Sequence, residues 1–292
     1  MASDYEVLRA GSTPLEGPGM ARARFQFVEG LCAADPEQPG RSRRVGNYLE
    51  TVIAPMLADR TLSDGSDGRI DDRKLRVHRI ELTKPRTLKV ALGVSHYLAF
   101  REPFDREDHE NGALQERGER DFEDPWAYFP RNPGVAGLVV SGEGSVFLGA
   151  RVSPDETGQL NAVAGHLTYR DNIHRVDLIR ELADELLEEM GIYAVDVNHA
   201  RFVGAYGHPL RGDFDFTFIV RTKLSNEYFL GDAWKERRTK EEHESLVELA
   251  TMNDVQWLLD LGHLSGSQRK EKIMYSTRGA LLSLNGTDFE SI

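Results

Sequence analysis

A chain of 292 residues and 32.8 kDa with 40% apolar residues can bury the core of one large or two modest domains, which excludes global disorder. Its formal net charge of -12 argues against binding a nucleic-acid backbone by counterion release, which needs a basic face, yet leaves small phosphorylated ligands open, because a bound divalent cation reverses the local field. Cys32 is the sole cysteine, so neither an internal disulfide nor a cysteine-rich zinc site can form. With an acidic, polar start (Met1 to Glu6) and no apolar run of membrane-spanning length, the expectation is a cytoplasmic protein without a membrane partner.

The first forty or so residues are rich in Gly, Pro, Ser and Arg and lack sustained periodicity, which predicts a loosely ordered or edge-lying lead-in. Val45, Tyr48, Leu49, Val52, Ile53 and Leu57 recur at helical spacing and predict an amphipathic helix over 45–58. The tract from Ser63 to Gly68 reads as a turn. Leu75 and Val77, then Leu88, Val90, Leu92 and Val94 after Lys84-Pro85, predict two tightly connected strands. The charged stretch from Arg101 to Asn132 reads as a long loop, either capping a substrate or merely solvated.

The texture changes at Gly134. Val135 to Val140 and Val146 to Ala150 flank Ser141-Gly142-Glu143-Gly144-Ser145, a hairpin signal. Then come a short strand ending in Ala164-Gly165-His166, a helix over 176–190, strands near 201–206 and 214–222, and helices near 254–261 and 268–283. Phe214, Phe216 and Phe218 alternate with polar residues and are read as core. This order predicts an α+β fold with a mixed sheet.

One helix carries the chemistry. Val176, Ile179, Leu182, Ala183, Leu186 and Met190 form its apolar stripe, and Gly191 is its predicted left-handed cap. The opposite face holds Glu181, Asp184, Glu185, Glu188 and Glu189. Like charges three and four residues apart repel by roughly 0.2–0.5 kcal/mol a pair, and acid in a last turn also opposes the helix dipole. Either the face is simply solvated in an acidic protein, or something positive compensates it. Mg²⁺ or Mn²⁺, which prefer oxygen ligands, would do so.

The order Asp184-Glu185-Leu186-Leu187-Glu188-Glu189-Met190-Gly191-Ile192 resembles the second half of the Nudix box, Arg-Glu-apolar-any-Glu-Glu-any-Gly-apolar, in every element but the first. The resemblance implies a Nudix-type α/β/α sandwich over 133–292, preceded by a smaller α/β region over 1–132. It implies Glu185, Glu188 and Glu189 as ligands of Mg²⁺, with Mn²⁺ as a substitute, and Gly165 as the glycine that opens the loop before the helix. Asp184 stands where the family has arginine and Val176 where it has its first glutamate. Either another cation such as Arg175 or Arg180 replaces that arginine, or catalysis is weaker than in typical members.

A wider set of fragments, Lys74 to His78, Leu92 to Tyr97, Pro133 to Ala136, Ala164-Gly165-His166, Glu242-His243-Glu244-Ser245 and Ser276 to Ala280, resembles the UDP-glucose pyrophosphatase branch. That implies hydrolysis of a UDP-sugar to UMP and a sugar 1-phosphate, with Glu189 or Glu244 as the base, Glu185 beside it, and family habit points to a homodimer. Tyr97 is a candidate to stack on the base and Arg101 or Arg278 to meet phosphate, though each also reads as structural. His166 is either a substrate contact or a local hydrogen-bonding residue. Two alternatives stay open: a silent nucleotide-binding regulatory module on the same fold, and a hydrolase of ADP-ribose or another nucleotide diphosphate derivative. Walker, Rossmann and nucleophile-elbow patterns are absent from the sequence.

Overall fold

The computed structural model describes residues 6–9, 15–16, 24–31, 73–83, 87–96, 100, 103–152, 157–167, 178–264 and 270–284. The expected helix over 45–58 and the turn after it lie outside the described residues, as do Tyr97, Arg101, Arg175 and Val176.

The chain is α+β with a mixed sheet. Its strands are β1 (Glu6–Arg9), β2 (Leu15–Glu16), β3 (Arg24–Leu31), β4 (Arg73–Thr83), β5 (Thr87–His96), β6 (Pro133–Val140), β7 (Val146–Arg151), β8 (Leu160–Asn161), β9 (Val163–His166), β10 (Val197–Gly207), β11 (Phe214–Thr222) and β12 (His243–Leu249). Among the described residues the α-helices are α1 (Asp108–Phe122), α2 (Leu178–Met190), α3 (Asn226–Leu230), α4 (Ala233–Arg237), α5 (Met252–Leu261) and α6 (Tyr275–Ser283).

The large sheet runs β1-β10-β11-β6-β7-β12, with β2 beside β10, β8 on β7 and β9 on β6. β11 and β6 are parallel from Phe214↔Pro133 to Arg221↔Val140, whereas β10 with β11, β6 with β9 and β7 with β12 are antiparallel. A second sheet has the order β3-β5-β4. The expected hairpins over 75–94 and 135–150 are both present. β1 joins the large sheet at its β10 edge, as the edge-lying reading of the lead-in expects.

Burial divides the core between the two faces of the large sheet. On one face Leu182, Leu186 and Met190 of the expected α2 stripe pack with Val135, Val139, Phe147, Phe214, Phe216 and Phe218, and Leu178 is buried with them in place of the expected Ile179, which the helix turns outward and leaves exposed. Leu75, Val77, Val90 and Leu92 of the smaller sheet join that same cluster. On the other face Val255, Leu258 and Leu259 of α5, with Ala280 and Leu281 of α6, cover Leu138, Val140, Leu148 and Ile219. Strand alternation sends neighbouring residues of β6 to opposite layers.

Two expectations need correction. Residues 108–122 are helix, not loop. Leu114 is the only large aliphatic residue in DHENGALQERGERDF, so no apolar stripe announced α1. Side-chain hydrogen bonds, one of them to a residue distant in the chain, hold it instead. Glu107 N–H donates to the Glu110 carboxylate at 3.0 Å, the buried Asn111 amide donates to the Pro103 carbonyl at 2.8 Å, and the Gln115 amide to the Pro209 carbonyl at 2.7 Å. The last helix starts at Tyr275 rather than 268. Lys272 and Met274 are held in extended pairing with Leu160, through Leu160 N–H to the Lys272 carbonyl at 2.8 Å and Met274 N–H to the Leu160 carbonyl at 3.0 Å.

Candidate functional site

α2 ends where its acids are densest, and the chain serves that end unusually well. Gly191 takes φ +65°, and the Gly191 and Ile192 N–H groups turn back to the Leu187 and Leu186 carbonyls at 3.0 and 3.1 Å. The Glu188 carbonyl accepts from both Thr239 N–H at 3.1 Å and Lys240 N–H at 2.9 Å. The Tyr228 hydroxyl lies 3.0 Å from the Met190 carbonyl and 3.0 Å from that of Gly191. Carbonyls that a helix terminus would leave to water are thus met by Tyr228 of α3 and by the segment after α4.

The carboxylates differ sharply in environment. Glu189 is wholly buried; its Oε2 accepts a long bond from Ala164 N–H of β9 at 3.4 Å, and its Oε1 has no hydrogen-bond partner among the described residues. Burial, reinforced by the charges of Glu242 and Glu185, holds its pKa well above the usual carboxylate range. Glu185 lies against β9 at Gly165, where a Cβ would collide with its carboxylate. Burial raises its pKa to about 7, against the opposing charge of Lys240 and with help from Glu188, Glu242 and Glu181. Glu188 is instead engaged by the Lys240 ammonium, with the two side chains 30% and 47% exposed.

Next to Glu189, His243 is also fully buried, with Nε2 3.6 Å from Glu189 Oε2. Burial, then the charges of Arg151 and Arg238, depress the imidazole to a pKa of about 3. Distance alone would class this pair as a salt bridge. Since burial favours the uncharged form of both groups, we read it as a neutral imidazole beside a carboxylic acid. Gly149 makes room for the ring, because a Cβ there would overlap it.

The structure therefore brings Glu185, Glu188 and Glu189 to one end of α2 and sets Gly165 beside Glu185. Glu244 is exposed. It is the extra residue of a bulge in β12, between the pairs His243↔Arg151 and Ser245↔Ala150. Its neighbour Glu242, which sequence reasoning did not single out, is the acid whose charge reaches Glu185 and Glu189, and Arg151 pairs with it at 3.5 Å. Arg180 reaches Asp184 on the outer face of α2, at 4.0 Å. His166, exposed at the tip of β9, packs edge-on against Phe100 with ring centroids 4.3 Å apart. Arg278 donates to the Leu259 carbonyl at 3.0 Å, tying α6 to α5. Among the described residues, no group of three or more His, Cys, Asp or Glu side chains stands ready to hold a metal ion.

A cavity of about 330 Å³ opens at the same end of the sheet, on the α6 face, lined by Phe104, Tyr206, His208, Arg211, Asp215 and Tyr275 among others. His208 and Tyr275 pack edge-on at 4.1 Å. Burial, aided by Arg211, lowers the His208 pKa to about 4, and its Nδ1 accepts from Leu210 N–H at 3.1 Å, so the ring is neutral with its proton on Nε2. Two glycines link cavity and acids: a Cβ on Gly134 would overlap the Asp215 carboxylate and come within 2.8 Å of the Gly165 carbonyl. Pairing across strands distant in sequence creates this cavity, and no local motif signals it.

No protein-family profile matches the chain, and no curated protein matches it in sequence. In structure it is similar to Nudix proteins. A bifunctional NMN adenylyltransferase/ADP ribose pyrophosphatase from Francisella tularensis overlaps 65% of this chain at 10% identity and TM-score 0.37, and the chain spans about half, 51%, of that enzyme's length. A MutT/nudix family protein from Enterococcus faecalis overlaps 61% of this chain and 73% of its own, at 10% identity and TM-score 0.34. Tm1382, which carries a Nudix hydrolase designation, overlaps 64% and 93%, at 13% identity and TM-score 0.33. No described helix is long and apolar enough to cross a membrane.

Proposed function

We propose that this chain hydrolyses the phosphoanhydride of a nucleoside diphosphate linked to another group, with Mg²⁺ or Mn²⁺ held by the acids at the end of α2. The observation that carries this reading is Glu189, a fully buried side chain whose Oε1 lacks a hydrogen-bond partner among the described residues. Two further carboxylates, Glu185 and Glu242, raise its pKa. A buried carboxylate so placed is unfavourable unless a cation joins it. The donors are all carboxylate oxygens, the preference of a hard divalent ion.

Glu185 and Glu189 would hold the ion, and Glu188 would join once released from Lys240. Such an ion, when bound, polarises phosphoryl oxygens and makes water acidic enough to attack at neutral pH. The chain's own contribution is positioning. The β9 backbone at Ala164 and Gly165 fixes Glu189 and Glu185, and His243 and Gly149 wall off the buried side of Glu189. Glu242, beside these acids and partly exposed, is better placed than Glu244 to take the proton from water. The cavity at His208 and Tyr275 would receive the planar ring of the nucleoside. UDP-sugars are our preferred substrates, on the resemblance of the scattered fragments given above.

A panel of UDP-sugars, CDP-alcohols, ADP-ribose and triphosphates with Mg²⁺ or Mn²⁺ tests the reading, comparing wild type with Glu189→Gln. Metal-dependent UMP release that the substitution abolishes is the expected result. The rival reading, a nucleotide-binding module without turnover, is favoured by the engagement of Glu188 with Lys240. Ligand-induced stabilisation with no product from any compound would establish that rival.

A further inference from the structure

The inner acids of α2 have two cations close by. Arg151 pairs with Glu242 and lowers the pKa of Glu189 by its charge. Lys240 contacts the Glu188 carboxylate and also acts by its charge on Glu185.

Lys240 is placed with unusual definition for a lysine on a surface segment. Its main-chain N–H and that of Thr239 both donate to the Glu188 carbonyl, at 2.9 and 3.1 Å, while its side chain engages the carboxylate of the same residue. Gly191 makes this approach feasible: a Cβ there would stand 2.6 Å from Arg237 Cβ and 2.9 Å from the Arg238 nitrogen. The segment from Arg237 to Lys240 is thereby fixed to the end of α2, with an ammonium delivered to one of the carboxylates that would ligate metal.

We propose that Lys240 is a tethered counter-cation, seated on Glu188, which a divalent ion must displace to complete its coordination by the α2 acids, so that this lysine sets the site's affinity for metal. The inference rests on the metal-site reading above, and it adds a competitor built into the chain. Besides the acids themselves, the buried Glu189 Oε1, which has no hydrogen-bond partner among the described residues, points to a ligand here. Glu188 cannot give the same oxygen geometry to an ammonium and to a divalent ion at once. An ammonium is also a compact charge on a flexible stem, able to withdraw without moving the backbone. Lys240 is a positioning residue, and metal affinity is what it controls.

The test measures Mn²⁺ binding by the full chain through electron paramagnetic resonance and titration calorimetry, in wild type, Lys240→Met, Lys240→Arg, Glu188→Gln and the Lys240→Met/Glu188→Gln double variant. Removing one unit charge near the site at the dielectric of a partly exposed position should tighten Mn²⁺ binding about tenfold, and less at high salt. Lys240→Arg, which keeps the charge, should stay within about twofold of wild type. In the Glu188→Gln background Lys240→Met should tighten binding less than it does in wild type, since only the charge of Lys240 on Glu185 is then removed. Wild type that binds Mn²⁺ and a Lys240→Met variant of unchanged or weaker affinity would overturn the inference while leaving the metal site standing. Wild type that binds no Mn²⁺ would overturn both. Urea unfolding of each variant without metal identifies any that fails to fold, and Lys240→Arg then decides by whether its affinity matches wild type.

Discussion

The backbone of Gly165 and the carboxylate of Glu185 are so close that no side chain can stand between them: a Cβ on Gly165 would overlap the carboxyl group itself. The obstacle is the far end of a flexible side chain, so Gly165→Ala can be relieved by swinging Glu185 aside. Folding should survive with a loss below about 1 kcal/mol, while hydrolysis drops about a hundredfold, the usual effect of displacing a catalytic group by an ångström. Urea unfolding and product release measure the two quantities. Unimpaired turnover in a folded Gly165→Ala protein would remove Glu185 from the site.

Glu189→Gln keeps shape and removes the buried titratable group. In metal-free buffer at and above neutral pH it should unfold at a higher temperature than wild type, by about 1 kcal/mol of added stability, since the wild-type protein must hold on Glu189 a proton that the unfolded chain has released. Mg²⁺ should raise the wild-type midpoint and leave the variant's unchanged. Equal midpoint shifts with Mg²⁺ in the two proteins would contradict the assignment of Glu189 as a ligand.

Glu185 makes metal-free stability depend on pH in a defined direction. Its folded pKa is raised to about 7 from 4.5, first by burial. Between those values the native protein keeps a proton that the unfolded chain has released. The stabilisation is complete below the unfolded value and disappears as pH rises through the folded one. His208 runs the other way: its pKa falls from 6.5 to about 4, so its contribution grows as pH rises across that interval. Glu185→Gln isolates the first effect. Relative to wild type, the variant should gain stability as pH rises from about 4.5 to about 7 in EDTA and level off above that, and a difference independent of pH would refute the shift.

Gly191→Ala meets an obstacle of another kind. The residue stands at φ +65°, and its Cβ would lie 2.6 Å from Arg237 Cβ and 2.9 Å from the Arg237 carbonyl carbon, so main chain must move. We expect a loss of about 2 kcal/mol or more in chemical unfolding, combining left-handed strain with overpacking. Divalent affinity should change as well, because the segment carrying Lys240 shifts.

Tyr275→Ala reads the cavity. Tyr275 is 37% exposed and stands against His208 at 4.1 Å. Loss of an aromatic partner for a nucleoside base weakens binding by about 1–3 kcal/mol, so the Kd for UMP and the KM for the substrate should rise together with kcat little changed. A nucleoside affinity equal to wild type would place the base elsewhere.

The sequence by itself determined α2 and its terminating glycine, because a period of 3.6 residues and a left-handed cap are local properties. The same holds for the hairpins around Lys84-Pro85 and Ser141 to Ser145, and for the core phenylalanines of β11, where strand alternation is written residue by residue. Of the expected apolar stripe of α2, Leu182, Leu186 and Met190 are buried, whereas Ile179 is exposed and Leu178 takes its place. α1 was not legible, since its stability comes from bonds to Pro103 and Pro209 rather than from a stripe. Only the tertiary structure decided which acids are buried. Glu189 and Glu188 are sequence neighbours, yet one is enclosed by β9, Gly149 and His243 while the other faces Lys240. Glu242 rather than Glu244 joins the cluster because a bulge in β12 interrupts alternation between them. Charge environments of this kind depend on strands and loops distant in the chain, and no spacing along one segment encodes them.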